Sequence, residues 1–299
     1  MIPKILYASP LVKKTEELLR EAQKACNIHP KLTVFIVGQH EPSWIYVRAK
    51  TKIAQSLGIE VELVPLPVDC SQARLNELCK HYSSDHNTHA LFIQLPLSKH
   101  LDLSEVMRHI NPIKDVDGLH PYHQGLLMAG QSGGITPCTP LGVMRLLRYY
   151  KISLKSKNVL VVGRSCLVGR PMALCLLNAD ATPTIAHSHT QDLTSLIRAN
   201  DIIVLATGAS RLVSPEIFND RQIVIDIGIH RGVDGKIHGD LGPISEELMP
   251  CAYTPVPGGV GPMTINTLMY NIFQAYFMQN PNPKWLEWQH AIESCMYVI

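Results

Sequence analysis

Short apolar runs alternating with segments of helical period are what most constrain the fold of this chain. LTVFIVG (32–38), VELVPLP (61–67) and ALFIQLPL (90–97) read as buried strands. Between them SWIYVRAKTKIAQSLG (43–58) and SQARLNELCKHYSS (71–84) read as helices. Strand and helix in turn is the pattern of a parallel sheet covered by helices. The texture changes over 111–140, where NPIKDVDGLHPYHQGLLMAGQSGGITPCTP is dense in Gly and Pro and predicts loop and interdomain connection. A second series then begins. LGVMRLLRYY predicts a helix, NVLVVG (158–163) a strand and VGRPMALCLLNA a helix. TPTIAH, DIIVLAT and QIVIDIG predict three more strands, with helices between the first two and between the last two. The last long helix is expected from near Pro262 to about Met278. A tail with two Trp and helical period follows and is expected to pack.

Two α/β lobes are expected, with a ligand in a cleft between them. The length, 299 residues, suits about two domains of roughly 150 residues. With 46% apolar residues, general disorder is excluded. The 27 basic and 25 acidic residues leave a net charge of +2, so no bulk attraction to nucleic acid or anionic lipid is expected. The eight cysteines form no CxxC pair, which predicts buried reduced thiols rather than a disulfide framework. The start, MIPKILYASPLVKK, does not read as a signal peptide, and no run approaches the roughly 18 apolar residues of a membrane span. A cytoplasmic protein is expected.

NVLVVGRSCLVGRPM has the layout of a phosphate site, with Gly163 ending a strand and Gly169 in the first turn of a helix. The spacing departs from the usual dinucleotide fingerprint, since Ser165 replaces the second glycine and the last falls one place late. An NAD site wants an acidic residue near the end of the next strand. Here that strand is followed by His187, Ser188, His189 and Thr190, while Arg164 lies in the first turn, able to face a 2′-phosphate. Both features favour NADP. The H-x-H pair has no third ligand nearby, so no metal is expected.

Tyr46 and Lys50 lie at i and i+4 and project from one helix face. Gln94 interrupts an apolar strand, where an amide is costly to bury without a partner. Asp117 sits at a turn in KDVDG. Taken singly, each has an ordinary reading: a core-edge Tyr, a solvated Lys, a loop-capping Gln and a turn-holding Asp.

Together with TPVPGGVGPMT, the stretches SWIYVRAK, FIQLPL, KDVDG, PCTPLG, VVGRSCLVGRP, HSHT, VIDIGI and the GD at 239–240 resemble the bifunctional methylenetetrahydrofolate dehydrogenase/methenyltetrahydrofolate cyclohydrolase family. They occur in family order from about residue 32 to 273. The resemblance implies a catalytic folate-binding domain at 1–139, completed by C-terminal helices at 275–299, and a Rossmann-like NADP-binding domain at 140–274. It implies Lys50 as the catalytic lysine, Tyr46 beside it in the folate pocket, Gln94 positioning Lys50, and Asp117 accepting from the pterin ring. Val47, Arg48, Ala49, Ile93 and Leu95 flank these as substrate-binding positions, and Pro257, Gly258, Gly259, Val260 and Gly261 look like a loop closing over substrate. Gly163, Arg164, Ser165, Ser188 and Ile229 look like NADP contacts. A homodimer through the nucleotide-binding lobes is implied as well.

Three places depart from the family. His40 and Glu41 replace an acidic-proline turn, Ala90 stands where Gly is common, and FNDRQIVIDIG lacks a proline-glycine turn. The implied chemistry is oxidation of 5,10-methylenetetrahydrofolate to the methenyl form and its hydrolysis to 10-formyltetrahydrofolate, within one-carbon metabolism. Hydride transfer needs positioning rather than a protein base. Hydrolysis needs an acid/base group, and Lys50, partly buried beside a cationic substrate, is the expected one. The alternatives are a monofunctional NAD(P)-dependent dehydrogenase of the same fold and a non-catalytic folate- or nucleotide-binding protein.

Overall fold

A computed structural model describes residues 4–232, 235–243 and 250–294. The chain runs β1 (Lys4–Ile5), α1 (Ser9–Cys26), β2 (Lys31–Val37), α2 (Glu41–Ser56), β3 (Glu60–Leu66), α3 (Gln72–Ser84), β4 (Ala90–Ile93), α4 (Leu103–Met107) and α5 (Pro121–Met128). It continues with α6 (Cys138–Tyr149), β5 (Asn158–Val162), α7 (Gly169–Leu177), β6 (Thr182–Ala186), α8 (Leu193–Ala199), β7 (Ile202–Leu205) and β8 (Ile223–Asp226). Last come β9 (His230–Arg231), β10 (Ile237–His238), β11 (Ala252–Tyr253), α9 (Val260–Gln279) and α10 (Pro283–Ser294). The fold class is mixed α/β, with a parallel sheet in each of two compact units.

One unit comprises Thr15–Thr136 and Leu268–Glu293. Its sheet has the order β3-β2-β4, all parallel. Central β2 is buried along nearly its whole length, and Phe35 joins Leu75, Cys79, Leu91, Ile93 and Val106 in the core. β3, expected to be buried, is instead an edge strand with alternating exposure, because only β2 pairs with it. The 111–140 stretch is not all loop. Asn111 accepts from the Ile113 amide to start a 3-10 turn at Pro112–Lys114, and His120 caps α5 by accepting from the Tyr122 amide. At the C-terminal end, Trp285 of α10 stacks on Phe277 of α9 at 4.6 Å between ring centroids. The expected packing of the tail is therefore seen in α10, while residues 295–299, Cys295 among them, lie outside the described residues.

The second unit comprises Pro137–Thr267 together with the chain up to Lys14 and Ser294. Six parallel strands run β1-β11-β8-β7-β5-β6. The chain leaves β5 toward β6 on one side and returns to β7 on the other, so the topological switch point lies between β5 and β7. Two expectations need correction here. The first residues, placed by sequence with the amino-terminal domain, pair through β1 with β11 and belong to this unit, because the edge of that sheet is completed from a distant part of the chain. No α-helix joins β7 to β8; Pro215 supports only a 3-10 turn at Pro215–Ile217. The described cysteines are all free thiols, but Cys166 and Cys251 are exposed rather than buried.

Candidate active site

Helix α2 carries the Tyr–Lys pair. Ser43, Val47 and Ala54 form its buried stripe, and Tyr46 and Lys50 stand half-buried beside it, one turn apart. The departures at His40 and Glu41 are built into the helix start: His40 Nδ1 lies 3.0 Å from Ser43 Oγ, and Trp44 Nε1 donates to the Gly38 carbonyl at 3.2 Å. Burial pushes the Tyr46 hydroxyl above its ordinary pKa, so it stays a neutral donor.

Gln94 follows directly on β4, where its amide donates to Phe35 O. Lys50 Nζ donates to Gln94 Oε1 at 3.1 Å and lies 4.0 Å from the centroid of the Phe92 ring. Gln94 Nε2 in turn donates to the Leu95 carbonyl at 2.6 Å. The carboxamide is thereby oriented with its oxygen on the lysine, which answers how a polar side chain is accommodated at the end of an apolar strand. Phe92 was not legible as a site residue, since it reads as one more apolar position of its strand.

Asp117 is half-buried just past the 3-10 turn at Pro112–Lys114. Its segment is tacked to β4 by a bridge of Asp115 with Leu91. Asn271 of α9 donates from Nδ2 to Val116 O at 3.0 Å and to Thr136 O at 3.1 Å. Asp115, which carried no signal separating it from Asp117, is buried, and loss of water pushes its carboxyl up to about 7 against the amides that it accepts. Among the flanking positions, Val47 and Ile93 point into the core, Leu95 is half-buried, and Arg48 and Ala49 are exposed. Arg48 lines a groove of about 350 Å³ with Gln39, Glu41 and Trp44.

The other expected residues belong to the six-stranded unit. Gly163 has φ of +138°, and a Cβ there would fall 2.2 Å from the Ala206 carbonyl oxygen beyond β7. A Cβ on Gly169 would fall 2.2 Å from Gly163 O, so α7 approaches the strand end as only glycine permits. Ser165 Oγ accepts from the Val168 and Gly169 amides, closing the turn. Pro257 is exposed, Gly258 has φ of +109° and offers its carbonyl to the Ala8 amide, and the Gly259 amide donates to Pro255 O. Val260 opens α9, with Gly261 beside it, and Thr139 meets Thr264 at 3.0 Å between hydroxyls.

Near Ile229 two of the motif stretches, VIDIGI and the GD at 239–240, meet in a carboxylate knot that sequence reading did not link. Buried Asp226 accepts from the amides of Gly228, Asp240 and Leu241. Buried Asp240 accepts from the Thr207 amide and contacts His230 Nε2, each at 2.7 Å. Burial pushes the Asp226 carboxyl above its ordinary pKa. The knot joins the chain beyond β7 to the chain beyond β8 and leaves Ile229 exposed beside it.

These residues fit a nucleotide bearing a 2′-phosphate. The glycine turn stands at the switch point of the sheet, where ligands of doubly wound folds lie. Arg164 and Ser188 are exposed, and Arg164 forms no ion pair among the described residues. The first carboxylate after β6, Asp192, caps α8 by accepting from the Ser195 amide and hydroxyl.

Residues 137–280 match the NAD(P)-binding domain of the tetrahydrofolate dehydrogenase/cyclohydrolase family, and residues 6–117 match its catalytic domain. The Bifunctional protein FolD of Methanosphaerula palustris is 42% identical over 276 residues, 92% of this chain and 98% of that protein. Among solved structures, the bifunctional FolD methylenetetrahydrofolate dehydrogenase/cyclohydrolase of Campylobacter jejuni aligns with a TM-score of 0.87 at 39% identity, covering 91% of this chain and 98% of that one. The Trypanosoma brucei methylenetetrahydrofolate dehydrogenase-cyclohydrolase, solved with NADP cofactor and an inhibitor, aligns with a TM-score of 0.88 at 31% identity, covering 94% and 100%. Two domain matches in order, with identity at this level over nearly the whole chain, place it in the tetrahydrofolate dehydrogenase/cyclohydrolase family of bifunctional enzymes.

Proposed function

We propose that the chain oxidises 5,10-methylenetetrahydrofolate with NADP and hydrolyses the methenyl product to 10-formyltetrahydrofolate, with Lys50 as the general acid/base of the hydrolysis. The contact of Lys50 Nζ with Gln94 Oε1 carries the reading. An uncharged amide orients the amine without adding the negative charge that would hold it protonated. A methenyl cation beside Nζ disfavours a second positive charge, so the neutral amine can take the proton of the attacking water and return it to the ring nitrogen as the ring opens.

The Thr15–Thr136 unit would bind the folate, with Asp117 accepting from the pterin and Tyr46 offering its hydroxyl nearby. Pro257, Gly258, Gly259, Val260 and Gly261 would cover the substrate. The Pro137–Thr267 unit would bind NADP through the turn of Gly163, Arg164 and Ser165, with Ser188 and Ile229. NADP supplies the hydride acceptor; this chain's residues hold the two reactants in register. Cytoplasmic placement and homodimerisation through the nucleotide-binding units complete the proposal. Among the described residues no helix is long and apolar enough to cross a membrane.

An absorbance assay with 5,10-methylenetetrahydrofolate, run with NADP and NAD in parallel and acid-quenched, tests both steps. NADP-dependent turnover without methenyl accumulation, together with faster decay of added methenyl substrate, is expected. Methenyl accumulating at its uncatalysed hydrolysis rate would leave a monofunctional dehydrogenase.

A further inference from the structure

Two aspartates lie two positions apart in KDVDG, and the fold treats them in opposite ways. Asp117 is half-buried, whereas Asp115 is only 2% exposed. The Asp115 carboxyl points back into its own turn. Its Oδ1 accepts from the Asp117 amide at 3.2 Å and its Oδ2 from the His120 amide at 2.7 Å. The two oxygens thus clasp both ends of the segment that carries Asp117, like an Asx turn with a second hydrogen bond. Behind the clasp, the Asp115–Leu91 bridge and the Val116 amide, which donates to Leu91 O at 3.4 Å, tie the backbone to β4. On the other side stands the Asn271 carboxamide, donating to Val116 O.

We propose that Asp115 is a positioning residue for folate recognition: its buried carboxyl holds the backbone of Asp117 and His120 so that Asp117 is presented at a fixed place and angle to the pterin. The inference rests on the reading of Asp117 given above. A hydrogen-bond acceptor misplaced by about 1 Å loses much of its effect on the ligand, so the turn and not only the aspartate is part of the recognition. Charge supports the division of labour. Burial falls on Asp115, and loss of water together with the Asp117 carboxylate beside it pushes its proton affinity up. Lys114 does not neutralise the pair; its buried Nζ donates to the carbonyls of Tyr82 and Asp85.

The test is a double-mutant cycle of Asp115→Asn and Asp117→Asn in the full chain, with KM and kcat measured for both half-reactions. Asn can accept one of the two amides but turns its own N–H groups toward the other, so the clasp is half opened at nearly constant volume. Asp115→Asn is expected to raise KM for methylene- and methenyltetrahydrofolate alike by about tenfold, with kcat and the KM for NADP within about twofold of wild type. In the Asp117→Asn background it should add less than about threefold, because the group it positions is already gone.

Unchanged folate KM, or a tenfold effect that persists undiminished in the Asp117→Asn background, would overturn the assignment. If Asp115→Asn does not fold, Asp115→Ser gives the same cycle, and failure of both to fold would make the carboxyl a folding element and equally overturn it. Wild-type protein without folate turnover would instead sink the reading of the site itself.

Discussion

At the scale of single residues, the candidate hydrolytic centre comes down to an amine held by an amide oxygen and an aromatic face. Lys50→Met keeps the length and apolar stem of the side chain and removes the proton carrier. Methenyl hydrolysis is expected to fall by about 10²–10⁴-fold, followed as decay of methenyl absorbance. Wild-type decay in that variant would remove Lys50 from the mechanism. Gln94→Glu tests the role of the neutral partner. A carboxylate 3.1 Å from Nζ would favour the ammonium form. Hydrolysis should then slow by about tenfold or more at neutral pH, with recovery at higher pH and folate KM little changed. A pH–rate profile superimposable on wild type would count against it.

Among the elements, the turn from β5 into α7 shows how local chemistry is set by packing. Gly169 has no room for a side chain, because the nearest atoms to its would-be Cβ are backbone atoms of Gly163 and Arg164 rather than a flexible side chain. Gly169→Ala must therefore push α7 off the strand end, at a cost of about 1–3 kcal/mol. The KM for NADP should rise, since the amides at the helix start move with it. Thermal melts and NADP titrations check this, and an unshifted Tm with unshifted KM would mean that the turn yields more easily than its geometry allows. The missing helix between β7 and β8 teaches the complementary point. Strand alternation predicts a crossover helix, yet the connection is a short 3-10 turn braced by a parallel bridge of Val213 with Leu241.

For the whole molecule, buried titratable groups pull stability in opposite directions with pH. His89, His120 and His123 are pushed below their ordinary 6.5 by burial. His123 Nδ1 accepts from the Ile135 amide, so Nε2 carries the proton toward Pro112 O and the ring sits neutral. Below about pH 6.5 the unfolded chain binds protons that the native histidines refuse, and stability falls with acid. Asp115 acts oppositely. Its carboxyl titrates at about 7 in the fold and near 3.8 in the unfolded chain. The stabilisation from its native proton is fully present below about pH 4 and is lost as pH rises through about 7. Asp115→Asn removes this opposing contribution, so Tm of the variant minus that of wild type should decline between about pH 8 and pH 5. A difference flat across that range would mean that Asp115 is ionised throughout.

The proposed homodimer belongs to the same scale. β6 is last in the sheet order, and Ile185 on it and Leu177 of α7 are both large and exposed. If the proposed dimer forms through this edge, wild type should sediment as a dimer and Ile185→Lys as a monomer; a wild-type monomer, or a dimer unaffected by the substitution, would overturn that placement.

Local structure was legible from the residues alone. Hydrophobic period marked the alternating strands and helices, Gly163 and Gly169 marked the turn at the switch point, and Tyr46 and Lys50 fell on one helix face because 3.6 residues make a turn. Long motifs in order carried the family, since they record contacts that the reader of one chain does not see. Which distant residues meet became visible in the packed fold alone. The Lys50–Gln94 bond spans 44 positions, and β1 finds its place beside β11 across 248 positions, Lys4 pairing with Ala252. Burial, too, was not legible: the two aspartates of KDVDG are the same residue type in the same loop, and only the strand beneath and α9 beside them decide which one loses water and has its proton affinity raised. Side-chain period is a property of one element, whereas desolvation and long-range hydrogen bonds are properties of the elements packed around it.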